Sequence, residues 1–472
     1  MRQVPDSLYR HLVPVLDLSV PDWQAVWQNI LGIARAHGLG GVLLRRGRAD
    51  EWRRVADEAR TMCHPRPLLM ADFEQGAASQ VAGYRWLPKA FTVGATGSPG
   101  CARLMGETIA GHAKALGLDM ILAPVADLLF SGTSSVIGTR SFGATPARVS
   151  AMVEAFVRGC QGEGIMAAAK HFPGHGRSQE DSHHHLPHLE VGYDEWMRSD
   201  AIPFEKAIGA GVGAVMVGHL WSESLDPGPR RPASLSPAIL RVLLREELGF
   251  EGIILTDSLE MAGAGGNDTT VAAAALEAGA DLVIGPDLGF GHSSGGVAVR
   301  DSETIGEGMG EEVLAREIAE HAVAWVGCKP PPMGSRIPAS LRIVPDRAGE
   351  CGWARPLQAA LRQRDALHPA GMPLVAVSGV SATAAVLAAA DEAKEPRGIA
   401  PVILACGALN AARCLAGRMS LILAGDATTA SQEAAVRLLC GEIEACGRPD
   451  VPGLSALLDA SPGDVHRVHW SP

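Results

Sequence analysis

Eight short apolar segments recur through the first 330 residues of this 472-residue chain. Amphipathic stretches such as 147–159 and 237–248 separate them and are long enough to form crossover helices. Strands that alternate with helices in this way are typical of a parallel α/β fold, and eight repeats favour a TIM-like (β/α)8 barrel of ~250 residues or more. The eight segments lie at residues 13–16, 41–44, 68–70, 120–123, 165–169, 214–217, 253–255 and 282–284.

Polar residues follow five of these predicted strands. They are Asp72, Asp127, Lys170, His219 and Asp257. A (β/α)8 barrel brings the carboxyl ends of its strands to one mouth, and enzymes of this fold have their active sites there. The sequence therefore predicts that these side chains converge on a single site.

The chain is too long for one hydrophobic core, because single cores stop growing near ~250–300 residues. A Pro-rich segment, Cys-Lys-Pro-Pro-Pro-Met-Gly-Ser-Arg-Ile-Pro at 328–338, is a candidate linker. Strand-like segments resume after it at 374–377, 402–404 and 421–423. We therefore predict an α/β protein with a TIM-like barrel at 1–328, a linker at 329–340, and a smaller α/β domain of unassigned role at 341–472.

The overall composition argues against several classes of partner. The net charge is −11 and no basic patch with interleaved aromatic residues occurs, so nucleic acid is not an expected partner. The start of the chain lacks the apolar core of a signal peptide, and no apolar stretch approaches the ~20 residues of a membrane span. Nine scattered cysteines without a Cys-x-x-Cys pair fit reduced thiols. We expect a cytoplasmic protein without a membrane partner; the sequence does not predict its oligomeric state.

The segment 170–183 concentrates reactive side chains. Lys170 and His171 follow an apolar strand, and the proline and glycines of the next residues, Phe-Pro-Gly-His-Gly, require a loop. Asp181 and His183 are two residues apart, so the carboxylate can orient the imidazole and raise its basicity. This pattern predicts an acid/base pair, and the alternative is a His-rich surface loop.

A second reactive position follows the strand Gly-Ile-Ile-Leu-Thr at 252–256. This unbroken apolar and β-branched run is typical of a strand buried on both faces, and Asp257 comes directly after it. A carboxylate at this place is positioned for nucleophilic attack. The alternative is that Asp257 caps the N-terminus of a following helix, a position that Asp favours.

The sequence Lys-His-Phe-Pro-Gly-His-Gly, then four residues, then Asp-Ser-His resembles the signature of glycoside hydrolase family 3. The resemblance is to its β-N-acetylglucosaminidases that recycle peptidoglycan fragments. It implies that Lys170 and His171 bind sugar hydroxyls, that His183 is the acid/base, and that Asp181 assists it. The segment Gly-Phe-Glu-Gly-Ile-Ile-Leu-Thr-Asp-Ser-Leu-Glu-Met at 249–261 resembles the family's nucleophile motif, which implies that role for Asp257.

Two further family elements are present in altered form. Asp-Phe-Glu-Gln-Gly at 72–76 resembles a sugar-binding turn and implies that Asp72 binds hydroxyls, with a barrel-mouth ion pair as the alternative. Ile-Gly-Thr-Arg-Ser-Phe-Gly at 137–143 keeps a sugar-binding Arg140, but Thr139 replaces an acidic residue. Ala77 and Gln80 stand where the family has arginines. We therefore expect weaker recognition of anhydromuropeptides and an altered aglycone, such as a small metabolite.

The resemblance implies a retaining, exo-acting β-N-acetylglucosaminidase that acts on a small-molecule glycoside without a cofactor or metal. Phosphorolysis is an alternative, since a neutral histidine after proton donation admits an anionic acceptor. A metal-dependent barrel hydrolase is a remote alternative suggested by His183, His184, His185 and His188; this run lies in a Gly/Pro loop without the spacing typical of metal ligands. A sugar-binding protein without turnover is the last alternative.

Overall fold

The computed structural model describes residues 6–130 and 136–289, and the backbone of five short strands between 324 and 424. The first region contains nine strands. Their bounds are Leu12–Val13 (β1), Val15–Asp17 (β2), Gly41–Arg45 (β3), Leu68–Ala71 (β4), Met120–Ile121 (β5), Met166–Phe172 (β6), Ala214–Val217 (β7), Ile253–Thr256 (β8) and Val283–Ile284 (β9).

Helices occupy the intervals between these strands. The α-helices are Asp6–Tyr9 (α1), Trp23–His37 (α2), Ala49–Met62 (α3), Ala90–Ala95 (α4), Pro99–Leu116 (α5), Pro146–Gly162 (α6), Tyr193–Arg198 (α7), Ala201–Gly209 (α8) and Thr269–Ala278 (α9). A π-helix covers Ala238–Glu247, and 3₁₀ turns cover Ala77–Ser79, Gly138–Arg140, Ala233–Leu235 and Ala262–Ala264.

The strands form a curled parallel sheet. Strands β2 to β8 pair in sequence order, and β9 pairs in parallel with β1. A backbone hydrogen bond also connects β8 to the residue before β9: Thr256 N donates to Leu282 O at 3.1 Å. Apolar side chains from the whole strand series meet on the concave face: Val13, Leu43, Met70, Met120, Leu122, Ala168, Ala214, Met216, Leu255, Leu282 and Ile284. A larger core lies between the strands and the helices.

All eight predicted strand positions contain strands, although most of their bounds differ from the predicted ones by one to three residues. The first segment is interrupted at Pro14, which lacks an N–H and accepts a hydrogen bond from Leu43 N instead. The strand predicted at 165–169 continues to Phe172, so Lys170 and His171 lie within β6 rather than beyond it. Its extension is bonded to the preceding segment, since Lys170 N donates to Pro124 O at 3.1 Å.

The later strands form a second sheet of five. They are Ala324–Val326 (β10), Ser340–Val344 (β11), Pro373–Ser378 (β12), Val402–Cys406 (β13) and Leu421–Ala424 (β14), in the order β10-β14-β13-β12-β11. All pairs are parallel except β10 with β14. The predicted linker at 329–340 lies outside the described residues apart from Ser340, so the predicted domain boundaries stay a prediction.

The composition led to expectations about the cysteines and about membrane-spanning segments. Cys63, Cys101 and Cys160 are free thiols. Among the helices described here, none combines the length and the apolar character needed to cross a membrane.

Candidate active site

A pocket of about 360 Å³ opens at the carboxyl ends of the first sheet's strands. Six of the seven residues singled out in the sequence line it: Asp72, Arg140, Lys170, His171, His183 and Asp257. Asp181 does not line the pocket and lies behind His183. The strands therefore bring together residues that are up to 185 positions apart in the chain.

The pocket contains a network of alternating charges around Lys170. The Lys170 ammonium is 3% exposed and lies 2.7 Å from both Asp72 Oδ1 and Glu74 Oε1. Arg140 donates from Nε and Nη2 to the two oxygens of Glu74, at 2.8 and 2.7 Å. Burial alone would raise the pKa of Glu74, but Arg140 and Lys170 hold it well below its usual value. Burial likewise opposes the charge on Lys170, and Asp72 and Glu74 outweigh it and raise the Lys170 pKa.

His171 is held by a buried carboxylate. Asp127 Oδ2 lies 2.7 Å from His171 Nδ1 and also accepts from the His171 backbone N–H, while its Oδ1 accepts from His175 N at 2.6 Å. Burial tends to raise the pKa of Asp127, yet His171 and His175 lower it on balance. The His171 ring is therefore fixed from behind, and its Nε2 lies 3.3 Å from Arg140 Nη2 in the pocket.

Asp257 follows β8 directly and reaches the pocket. Its N–H donates to Val217 O at 2.9 Å, and its Oδ1 accepts from Ser258 N at 2.8 Å. Burial alone would raise the pKa of this carboxyl, but the His171 imidazole, the Ser258 N–H and Lys170 together hold it below its ordinary value. The predicted helix-capping alternative is wrong: no α-helix begins here, and the next helical turn starts at Ala262.

His219 supports the segment after Asp257. Its Nε2 lies 2.9 Å from Ser258 O and its Nδ1 lies 2.8 Å from Ser234 Oγ. Because a carbonyl can only accept, Nε2 carries the proton and Nδ1 accepts from the Ser234 hydroxyl. Burial lowers the pKa of His219, which fits this neutral form.

His183 and Asp181 form the pair expected from their spacing. Asp181 Oδ1 lies 2.7 Å from His183 Nδ1 and accepts from the His183 backbone N–H at 2.9 Å. The His183 side chain is 58% exposed and lines the pocket, with its other ring nitrogen not involved in this contact. Burial opposes ionisation of Asp181, but bonds from His183 outweigh it and lower the Asp181 pKa.

The segment that carries this pair is fixed at several points. His175 Nε2 lies 2.9 Å from the Ser182 hydroxyl in a buried contact. Ala262 N and Gly263 N donate to His183 O and Ser182 O at 3.3 and 3.1 Å. A Cβ on Gly263 would lie 2.7 Å from His185 O and 2.9 Å from Ser182 O, so only glycine allows this approach.

Sequence reasoning missed several residues of the site. The sequence pattern places Glu74 within a turn motif and Asp127 and His219 after predicted strands, and it assigns no role to any of the three. Position after a strand could have singled out Asp127 and His219, whereas nothing in the sequence shows that Arg45 and Glu260 also line the pocket.

Three residues at which the sequence differs from the resembled family pattern, Ala77, Gln80 and Thr139, do not line the pocket. Ala77 is fully buried and its N–H donates to His112 Nδ1 at 3.2 Å. Gln80 Oε1 accepts from Arg46 N at 3.2 Å, and Thr139 lies in the turn that carries Arg140.

The run of histidines does not form a cluster of potential metal ligands. His188 stacks on Trp221 with 4.1 Å between ring centroids, while His183 pairs with Asp181. Within residues 6–130 and 136–289, no three His, Cys, Asp or Glu side chains are placed to hold one ion.

Comparisons with known proteins agree on one family. Residues 20–288 match the model of the glycosyl hydrolase family 3 N terminal domain. The chain is 35% identical to a beta-hexosaminidase of Chromobacterium violaceum over 258 residues, which cover 52% of this chain and 71% of the relative. It is also 35% identical to a beta-hexosaminidase of Methylococcus capsulatus over 278 residues, covering 57% and 81%.

Two solved structures share the fold. A family 3 beta-N-acetylglucosaminidase from Paenibacillus sp. superimposes with a TM-score of 0.77 at 22% identity, covering 96% of this chain and 99% of that one. NagZ from Neisseria gonorrhoeae in complex with N-trifluoroacetyl-D-glucosamine superimposes with a TM-score of 0.51 at 28% identity, covering 59% and 82%.

Proposed function

Because this chain belongs to glycosyl hydrolase family 3 and is thus a glycoside hydrolase, we propose that it is an exo-acting, retaining β-N-acetylglucosaminidase. It removes terminal β-linked N-acetylglucosamine from a small-molecule glycoside. The observation that carries the proposal is one pocket lined by a nucleophile candidate, Asp257, and an acid/base candidate, His183. Relatives that are named beta-hexosaminidase support the choice of sugar.

The proposed scaffold is a complete TIM-like (β/α)8 barrel. Pairing of β9 with β1 and its backbone bonds to the β8 side support closure of the curled sheet. A shared apolar interior that receives side chains from all parts of the strand series is also what a closed barrel requires. The site then lies at the carboxyl-end mouth.

In the first step, Asp257 attacks the anomeric carbon and displaces the aglycone through an oxocarbenium-like transition state. The bond from the anomeric carbon to the aglycone oxygen breaks as the bond to the Asp257 carboxylate forms. His183 gives its proton to the departing oxygen. The lowered pKa of Asp257 keeps the nucleophile anionic for this attack.

In the second step, neutral His183 removes a proton from water, which attacks the anomeric carbon and releases Asp257. Asp181 holds Nδ1 of His183 at 2.7 Å and stabilises the imidazolium in both directions of proton transfer. A histidine can donate and accept a proton near neutral pH, whereas a glutamic acid would need burial to raise its pKa into that range.

The network around Lys170 binds the sugar. Lys170 and Arg140 offer donors, and Asp72 and the Nε2 atom of His171 offer acceptors, for hydroxyls of the terminal residue. Their mutual contacts at 2.7 to 3.3 Å hold them in place before substrate arrives. Such preorganised charge-assisted contacts are stronger than neutral ones.

The direct test is turnover of an aryl β-N-acetylglucosaminide with and without inorganic phosphate, with the sugar product identified. We expect free N-acetylglucosamine in both cases; a sugar 1-phosphate formed only with phosphate would instead establish phosphorolysis. Asp257→Asn should lower kcat by about 10⁴-fold or more, as loss of a nucleophile does. Asp22→Asn, outside the pocket, is the control and should leave kcat unchanged.

A further inference from the structure

One wall of the pocket contains an ion pair that the proposed reaction does not use. Arg45, the last residue of β3, donates from Nη1 to Glu260 Oε2 at 3.3 Å. Both side chains are about one-third exposed and both line the pocket. The contact is long for a charge-assisted hydrogen bond, which usually measures about 2.7–2.9 Å. Each partner therefore keeps hydrogen-bonding capacity toward the pocket.

This wall is adjacent to the nucleophile. Glu260 lies three residues after Asp257, and Ser258 links the two, since its N–H donates to Asp257 Oδ1 and its hydroxyl lies 3.4 Å from Glu260 Oε2. Glu260 is therefore near the place where the proposed reaction puts the anomeric carbon and its substituted neighbour. The network around Lys170, which comes from β4, β6 and the turn at Gly138–Arg140, is proposed to bind the other hydroxyls.

Apolar side chains complete the wall. Leu43 precedes Arg45 by two residues on β3 and so shares its face of the strand. Ile284 of β9 also lines the pocket. The next residue, Gly285, packs closely against the acidic partner, because a Cβ there would lie 3.3 Å from Glu260 Cγ. A carboxylate, a guanidinium and two aliphatic side chains thus lie together.

We propose that Arg45 and Glu260, with Leu43 and Ile284, form the subsite for the 2-acetamido group of the sugar. An acetamido group has one N–H donor, one carbonyl acceptor and a methyl group. The Glu260 carboxylate accepts the N–H, the Arg45 guanidinium donates to the carbonyl, and the aliphatic side chains contact the methyl. A 2-hydroxyl would leave part of this charged pair unpaired, so the subsite selects against glucosides. The inference rests on the proposed function and assigns its sugar specificity to these residues.

The test compares kcat/KM for matched aryl β-N-acetylglucosaminide and aryl β-glucoside. Arg45→Met should lower kcat/KM for the N-acetylglucosaminide about 10- to 100-fold, the range of a lost charged hydrogen bond, and leave the glucoside within about threefold. Glu260→Gln should act in the same direction, and Arg45→Lys should restore part of the loss. Arg48→Met is the control, since that arginine is exposed and pairs with Asp50 outside the pocket.

Three results would overturn the inference. Equal losses on both substrates would indicate a structural role, and unchanged values for every variant would indicate none. Loss confined to an N-acetylglucosaminyl anhydromuramoyl disaccharide would mean that Arg45 recognises an anionic aglycone. Calorimetric titration with N-acetylglucosamine and with glucose gives a readout without turnover, and the variants should lose affinity only for the former. A wild-type protein that is inactive on every N-acetylglucosaminide would reject the proposed function itself. An active wild-type protein whose variants show one of the three results above would reject only the subsite.

Discussion

At the scale of single residues, the site consists of charges that stabilise one another. Lys170 is almost fully buried, and a buried ammonium without partners would be strongly destabilising. Asp72 and Glu74 supply those partners, and Arg140 compensates the second carboxylate. Removing one member leaves another uncompensated, so substitutions here affect stability as well as sugar binding. The proposed acid/base and the proposed nucleophile are better probes, because the choice of substrate separates their roles.

His183→Ala should slow glycosides with poor leaving groups far more than those with an activated aryl group. Only a basic departing oxygen needs a proton, and general acid catalysis typically contributes ~10²–10⁴-fold. The measurement is kcat/KM on a chitobiose-type glycoside and on a dinitrophenyl glycoside. His184→Ala, which changes the adjacent exposed histidine, should leave both values unchanged. Equal loss on both substrates in the His183 variant would contradict the assignment.

The pH dependence of the nucleophile follows from its lowered pKa. A depressed carboxyl pKa extends the anionic form of Asp257 to lower pH. In the His183→Ala background, kcat/KM for the dinitrophenyl glycoside reports the bond-breaking step without the acid. It should stay flat from pH 7 down to about 4.5, since an ordinary Asp titrates near ~3.9. A decline centred above about pH 5 would show that burial dominates and raises this pKa.

Position after a predicted strand and residue type together singled out Lys170, His171 and Asp257 in the sequence. All three line the pocket, although Lys170 and His171 lie within β6 rather than after it, and their roles stay predictions. Arg45 and Glu260 also lie at or just after strand ends, but neither belongs to a recognisable motif. Their contact joins positions 215 apart, and no local pattern in a single sequence indicates such a pairing.

At the scale of elements, two loops hold the acid/base and the nucleophile segments together. The loop after β6 carries Asp181 and His183, and the loop after β8 carries Asp257 and Gly263. Backbone bonds from 262 and 263 to the carbonyls of 183 and 182 join them, and Gly263 permits the close approach. His219 holds the second loop through a hydrogen bond from its Nε2 to Ser258 O. The relative position of the two catalytic candidates therefore depends on this loop contact.

Gly263→Ala should displace the segment 182–185 and impair acid catalysis. The added methyl would approach two backbone carbonyls within 3 Å, and relief of such overpacking typically costs about 1–3 kcal/mol of stability. We expect a larger loss of kcat/KM on the chitobiose-type glycoside than on the dinitrophenyl glycoside. Gly209→Ala is the matched control, since a Cβ there meets no atom within 4 Å. Identical losses on the two substrates would show that the contact does not position His183.

The order and type of the elements were predictable, and their ends were not. Apolar runs bounded by helices indicated where the strands lie, because buried parallel strands are continuous apolar segments in the sequence. Pro14 interrupts the first strand, and β6 continues through two polar residues because the neighbouring segment at 124–126 offers bonding partners. Such tertiary pairing overrides the local rule that a polar residue ends a buried strand.

At the scale of the whole molecule, the family match and the proposed site coincide. Residues 20–288 match the family model, and every candidate site residue from Asp72 to Asp257 falls inside them. Three of the five strands of the second sheet, β12, β13 and β14, agree with the segments predicted at 374–377, 402–404 and 421–423. Its role stays unassigned, because no motif in 341–472 matches a known site. The chemistry at the first sheet therefore tests the proposed function.

The stereochemistry of the first-formed product tests the central claim, a covalent intermediate on Asp257, most directly. Two displacements at the anomeric carbon retain configuration, whereas one direct attack by water inverts it. Proton NMR of an aryl β-N-acetylglucosaminide during rapid hydrolysis resolves the two product anomers before they interconvert. We predict that β-N-acetylglucosamine forms first and that the α anomer appears only later by mutarotation. Initial formation of the α anomer would contradict the account.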